Sequence, residues 1–60
     1  MTFEIYQDSG GGWRWRLVSS NGQTVATSGE AFASKANATR AAENVRDRAG
    51  SAEVKEVSTA

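Results

Sequence analysis

Trp13-Arg14-Trp15-Arg16-Leu17 constrains this chain more than any other stretch. Large apolar and cationic side chains alternate strictly. In a strand that places Trp13, Trp15 and Leu17 on one face and Arg14 and Arg16 on the other. Gly10-Gly11-Gly12 precedes the block and Asn21-Gly22 follows it, and both are turn signals. Residues 13–19 therefore read as the central strand of a small antiparallel sheet.

The flanking segments complete a meander. Residues 2–7 read as a first strand, with Phe3 and Ile5 on one face and Glu4 and Tyr6 on the other. Asp8 through Gly12 form a turn. Ser20-Asn21-Gly22 suits a tight hairpin turn, because Asn-Gly tolerates left-handed backbone at both central positions. Residues 23–28 make a weaker third strand. Ser34 is a candidate N-cap for a helix from Lys35 to Arg48, a stretch free of glycine and proline. Ala38, Ala41, Ala42, Val45 and Ala49 fall on one side of that helix. Small residues there let it approach the sheet, whose large side chains then supply the core: Phe3, Ile5, Trp13, Trp15 and Leu17, with Val45 from the helix. Gly50 is placed to close the helix in a left-handed conformation. Residues 52–57 read as a fourth strand, and 58–60 as a frayed end. The expected fold is α+β, in the order βββαβ, one domain over residues 1–60.

Composition narrows the function classes. The 60 residues include no cysteine and no histidine. That removes disulfides, thiolate metal sites and the commonest general base. No cofactor and no bound transition metal are expected. Seven basic residues balance seven acidic ones, so strong non-specific binding of nucleic acid is not expected. No apolar run reaches membrane-spanning length. The opening residues, Met1-Thr2-Phe3-Glu4-Ile5, lack the basic and apolar regions of a signal peptide. A cytoplasmic location is the expectation. So short a chain has a marginal core, and oligomerisation is the remaining way to reinforce it.

Three features are candidate sites. Arg14 and Arg16, about 7 Å apart on one face, could hold a phosphate or carboxylate, with Lys35 at the helix start as a third cation. The plainer reading pairs the arginines with Glu4 and with acidic residues of the last strand. A nucleic-acid site would need Arg14, Arg16, Lys35, Arg40 or their counterparts in a dimer to converge. Ser28-Gly29-Glu30 reads as a turn; as a general acid or base Glu30 has no evident partner. Gly10-Gly11-Gly12 joins two strands and lacks the Lys-Ser/Thr ending and the helix of a phosphate loop.

Phe3-Glu4-Ile5-Tyr6, Trp13-Arg14-Trp15-Arg16-Leu17, Asn21-Gly22, Ser28-Gly29-Glu30 and Ser34-Lys35, in that order, resemble the YegP-like family of small uncharacterised proteins. The similarity runs from Thr2 to Val57, with Phe32 where a tyrosine is common. The resemblance implies that two βββαβ units, in tandem or as separate copies, share one sheet with their C-terminal strands exchanged. A single unit is then a homodimer, with Val54 and Val57 in its interface. The family names no reaction. The expectation is a non-enzymatic accessory or binding protein whose partner is itself. Weak nucleic-acid or anion binding by the Arg14/Arg16 face is the alternative.

Overall fold

A computed structural model of the chain describes residues 1–58. Three strands form one antiparallel sheet in the order β1 (Thr2–Gln7), β2 (Trp13–Val18), β3 (Thr24–Thr27). One helix, α1 (Lys35–Arg48), packs on β1 and β2 and is followed by a single 3-10 turn, Ala49–Ser51. The bounds of β1 and α1 are those that alternation and composition predict; β2 and β3 are slightly shorter.

Strand register follows the alternation. Phe3 lies opposite Leu17, Ile5 opposite Trp15 and Gln7 opposite Trp13; Glu4 faces Arg16 and Tyr6 faces Arg14. The apolar set thus shares the face under α1. Leu17 lies opposite Ala26, and an irregularity between Leu17 and Val18 shifts the β2–β3 pairing by one residue.

Both hairpins use the same three-residue loop. Asp8 N–H donates to the Gly12 carbonyl at 2.8 Å and Gly11 N–H to the Asp8 carbonyl at 3.0 Å. Likewise Ser19 N–H donates to the Gln23 carbonyl at 2.8 Å and Gly22 N–H to the Ser19 carbonyl at 2.9 Å. Gly11 and Gly22 take the left-handed position, at φ 88° and 89°. The loop Ser20-Asn21-Gly22 is the turn expected, but Asn21 is not left-handed as expected. It keeps a negative φ, because a three-residue loop needs only one left-handed residue.

Ser34 caps α1, its hydroxyl accepting the Asn37 N–H at 3.1 Å. The far end differs from expectation. Gly50 is not left-handed. Ala49 N–H bonds back to the Val45 carbonyl, and the 3-10 turn continues the coil to Ser51. The Ser51 hydroxyl then satisfies the Arg48 carbonyl at 3.0 Å, so the end is closed without a left-handed residue.

The core is thin. Trp15, Ala38 and Ala42 are its only buried apolar residues among those described. Phe3 meets the Trp15 ring edge-on, centroids 5.3 Å apart. Phe3, Ile5, Trp13 and Leu17 are half-buried. Val45, expected in the core, is 36% exposed. Its stripe is real, but the last turns of α1 reach the sheet margin, where Val45 borders an open groove.

Residues 52–57 correct the sequence reading most. In the single chain they form no strand, and no fourth strand joins the sheet among the described residues. Ala52 is extended, at φ −74° and ψ 141°, but the segment is exposed throughout. Of the frayed end expected at 58–60, residues 59 and 60 lie outside the described residues.

Candidate interaction surfaces

The alternation that builds β2 also creates a polar sheet face, away from α1. Arg16 donates through Nε to Glu4 Oε1 at 2.7 Å, directly across the strand pair. Its guanidinium also lies 4.7 Å from the centre of the Tyr6 ring. Glu4 is the partner the sequence suggested. Exposed pairs of this kind contribute about 0–1 kcal/mol.

Arg14 has a partner that sequence reasoning missed. Its Nε donates to Asp8 Oδ2 at 2.7 Å. The other carboxylate oxygen, Oδ1, accepts the N–H groups of Gly10 at 3.0 Å and Gly12 at 2.9 Å. These bonds, that to Arg14 first, hold the Asp8 carboxyl below its ordinary value of 3.8. The same bond raises the Arg14 guanidinium. The signal was available: an Asp opening a glycine-rich loop offers its carboxylate to the loop amides.

Each arginine of this face is therefore neutralised by a neighbouring carboxylate. Lys35 begins α1, in the layer on the other face of the sheet. Arg40 is exposed on the same helix. Within one copy the fold does not gather the four cations into one cluster. In the Ser28–Glu30 turn, Gly29 has φ 70° and Ser28 Oγ donates to the Glu30 carbonyl at 2.9 Å. The Glu30 side chain is exposed and has no ion-pair partner among the described residues. No group of three or more potential metal-ligating side chains occurs among the described residues. No helix there is long and apolar enough to cross a membrane.

The second surface is the margin between β1 and α1. Bonded pairs alternate along an antiparallel ladder. The ladder closes at Asp8–Gly12, so Tyr6–Arg14 and Glu4–Arg16 carry its bonds. The main-chain groups of Phe3, Ile5 and Gln7 then point outward, and β1 is an edge strand. Consistently, the odd residues of β2 bond on its other side: Trp13 exchanges two bonds with Phe32, and Trp15 accepts from Ser28 N–H. Two grooves follow the margin. One, of about 210 Å³, is lined by Phe3, Ile5, Thr39, Ala42, Glu43 and Arg46. The other, of about 550 Å³, lies among Met1, Phe3, Leu17, Val45 and Ala49.

An open strand edge, an apolar margin and a neutralised polar face define a small α+β domain that offers a pairing surface and no catalytic constellation among its described residues. The chain belongs to the family described as a domain of unknown function (DUF1508), whose profile matches residues 8–56. It is 40% identical over 57 residues to a UPF0339 protein of Neisseria meningitidis serogroup B, covering 95% of this chain and 100% of that one. It is 46% identical over 55 residues to a UPF0339 protein of Treponema denticola, covering 92% and 93%. A protein from Haloferax volcanii, solved in solution by NMR, superposes with a TM-score of 0.86 at 43% identity, covering 93% of each chain. The expected YegP-like membership and α+β unit are thereby established. No function is established for the family.

Proposed function

We propose that this protein is a non-enzymatic, cytoplasmic homodimer with an accessory or binding role, in which residues 52–57 of each copy complete the other's sheet along β1. The observation that carries this reading is the coexistence of an open sheet edge and an exposed, unpaired segment of strand composition. The edge has outward main-chain groups at Phe3, Ile5 and Gln7 above an apolar margin. The segment that fits it, Ala-Glu-Val-Lys-Glu-Val, is extended at its start and leaves Val54 and Val57 fully or largely exposed.

Magnitudes favour a second copy. The single chain exposes 4750 Å², against about 3,800 Å² for a compact chain of this mass. Its radius of gyration is 13.1 Å, against about 10.4 Å for a compact domain of this length. The excess area is close to the roughly 800 Å² that one partner buries in a stable interface. Strand addition also removes an edge that invites aggregation.

Sedimentation equilibrium tests the reading. The full chain is expected to sediment as a dimer at micromolar concentration. A chain ending at Ser51 is expected to be monomeric or unfolded. A monomeric full chain at that concentration would overturn it.

The alternative, an anion or nucleic-acid site on the Arg14/Arg16 face with Lys35, is less well supported. Asp8 and Glu4 already occupy the arginines. Whatever RNA binds there is expected to be released at physiological salt, since few phosphates are neutralised. Tight anisotropy titrations at that salt would favour the alternative.

A further inference from the structure

The β2–β3 loop carries a chemistry that neither the dimer nor the arginine face uses. Asn21 and Gly22 are exposed. The Asn21 carboxamide oxygen, Oδ1, accepts the Gln23 N–H at 3.2 Å and the Ser19 hydroxyl. Its carboxamide nitrogen donates to no protein group among the described residues. The next main-chain nitrogen belongs to a glycine, and a Cβ placed there would meet nothing within 4 Å.

We propose that Asn21 is a site of spontaneous deamidation directed by its own hairpin loop. The Gly22 nitrogen attacks Asn21 Cγ and gives up its proton. A nitrogen–carbon bond forms, the Cγ–Nδ2 bond breaks, and ammonia leaves with that proton. Water then opens the cyclic imide. Attack at the former side-chain carbonyl gives aspartate; attack at the main-chain carbonyl gives isoaspartate. The Ser19 hydroxyl and Gln23 N–H are aimed at the oxygen on which negative charge develops, where fixed donors act most strongly. The Gly22 N–H bond to the Ser19 carbonyl, 2.9 Å, must open first.

The chain contains its own controls. Its other asparagines, Asn37 and Asn44, lie in α1 and precede Ala38 and Val45. Their attacking nitrogens lie inside α1, where opening one bond disrupts a helical turn. The Ala38 and Val45 side chains hinder attack, whereas Gly22 has no side chain and sits in a loop. The products also differ. Aspartate at position 21 keeps an acceptor for both donors and takes the formal net charge from 0 to −1. Isoaspartate adds a main-chain methylene to a three-residue loop and breaks the Ser19–Gln23 pairing.

Peptide mapping by mass spectrometry, after holding the full-length protein at mildly alkaline pH, tests this. Expected are both acidic products at residue 21 and none at Asn37 or Asn44. Ser19→Ala is expected to slow the conversion, and Gly22→Ala to abolish it over the same interval. Asn21→Asp is expected to melt like the parent, which keeps the product claim testable should Gly22→Ala fold poorly. An unchanged Asn21 over an interval in which the urea-unfolded chain converts would overturn the proposal. So would equal rates in Ser19→Ala and the parent, or equal conversion at Asn37 and Asn44.

Discussion

Ala31 closes on Gly12: a side chain begun at Gly12 would place its Cβ 2.6 Å from the Ala31 Cβ. The contact follows from the bridge between Trp13 and Phe32, which draws the loop before α1 against the end of the β1–β2 turn. Gly10, Gly11 and Gly12 therefore differ in how they tolerate a side chain. Gly12→Ala is predicted to destabilise by about 1–3 kcal/mol through forced backbone movement. Gly11→Ala is predicted to cost about 1–2 kcal/mol through its left-handed backbone, φ 88°. Gly10→Ala, whose Cβ would meet only Asp8 Oδ1 at 3.5 Å, is predicted to lie within about 0.5 kcal/mol of the parent. Urea titrations of the three variants check the order.

Asp8 predicts an acid dependence. Its carboxyl is held below 3.8 in the fold by Arg14 and the loop amides. The unfolded chain therefore binds a proton more readily at this residue. The stabilisation is present above the ordinary carboxylate range and is lost as pH falls through the depressed folded value. Asp8→Asn is predicted to be less stable than the parent at neutral pH. The gap is predicted to narrow once the pH drops below about 4. Melting temperatures of both proteins across that range measure it, and a gap independent of pH would contradict the assignment.

Trp15 is the one large buried side chain among the described residues, and the half-buried Phe3 meets it edge-on. Trp15→Ala is predicted to cost about 3–5 kcal/mol, enough to abolish cooperative unfolding in so small a domain. Phe3→Leu keeps apolar volume but loses the edge-on ring contact, and is predicted to cost about 0.5–1.5 kcal/mol. Near-ultraviolet circular dichroism with thermal melts separates the two.

Local patterns carried most of this fold. The alternation in Trp13–Leu17 set the strand faces, and Ser34 with the alanine stripe located α1, because neighbouring residues encode both. What was not legible depended on partners distant along the chain or on loop geometry. Asp8 reads as a turn residue until Arg14, six positions on, is seen to reach it. Asn21 reads as a left-handed residue beside Gly22 until the Ser19–Gln23 bond shows a loop in which only Gly22 is left-handed. Val45 belongs to the apolar stripe, but only the width of the sheet decides whether that turn is covered. Residues 52–57 have strand composition, but composition does not tell whether the segment reaches an open edge of its own sheet, and in the single chain it does not. Of the candidate cations, alternation paired Arg14 with Arg16 on one face. Only the packing of α1 shows Lys35 to be in the other layer.

Amide hydrogen exchange at Phe3, Ile5 and Gln7 tests the central claim, that each copy's residues 52–57 pair with the other's β1. These are the N–H groups that β2 leaves free. In the full-length protein at concentrations that populate a dimer, they are predicted to exchange slowly. On dilution, or in a chain ending at Ser51, they are predicted to exchange far faster than those of Glu4 and Tyr6. Fast exchange at Phe3, Ile5 and Gln7 in a dimeric full-length protein would contradict pairing at β1.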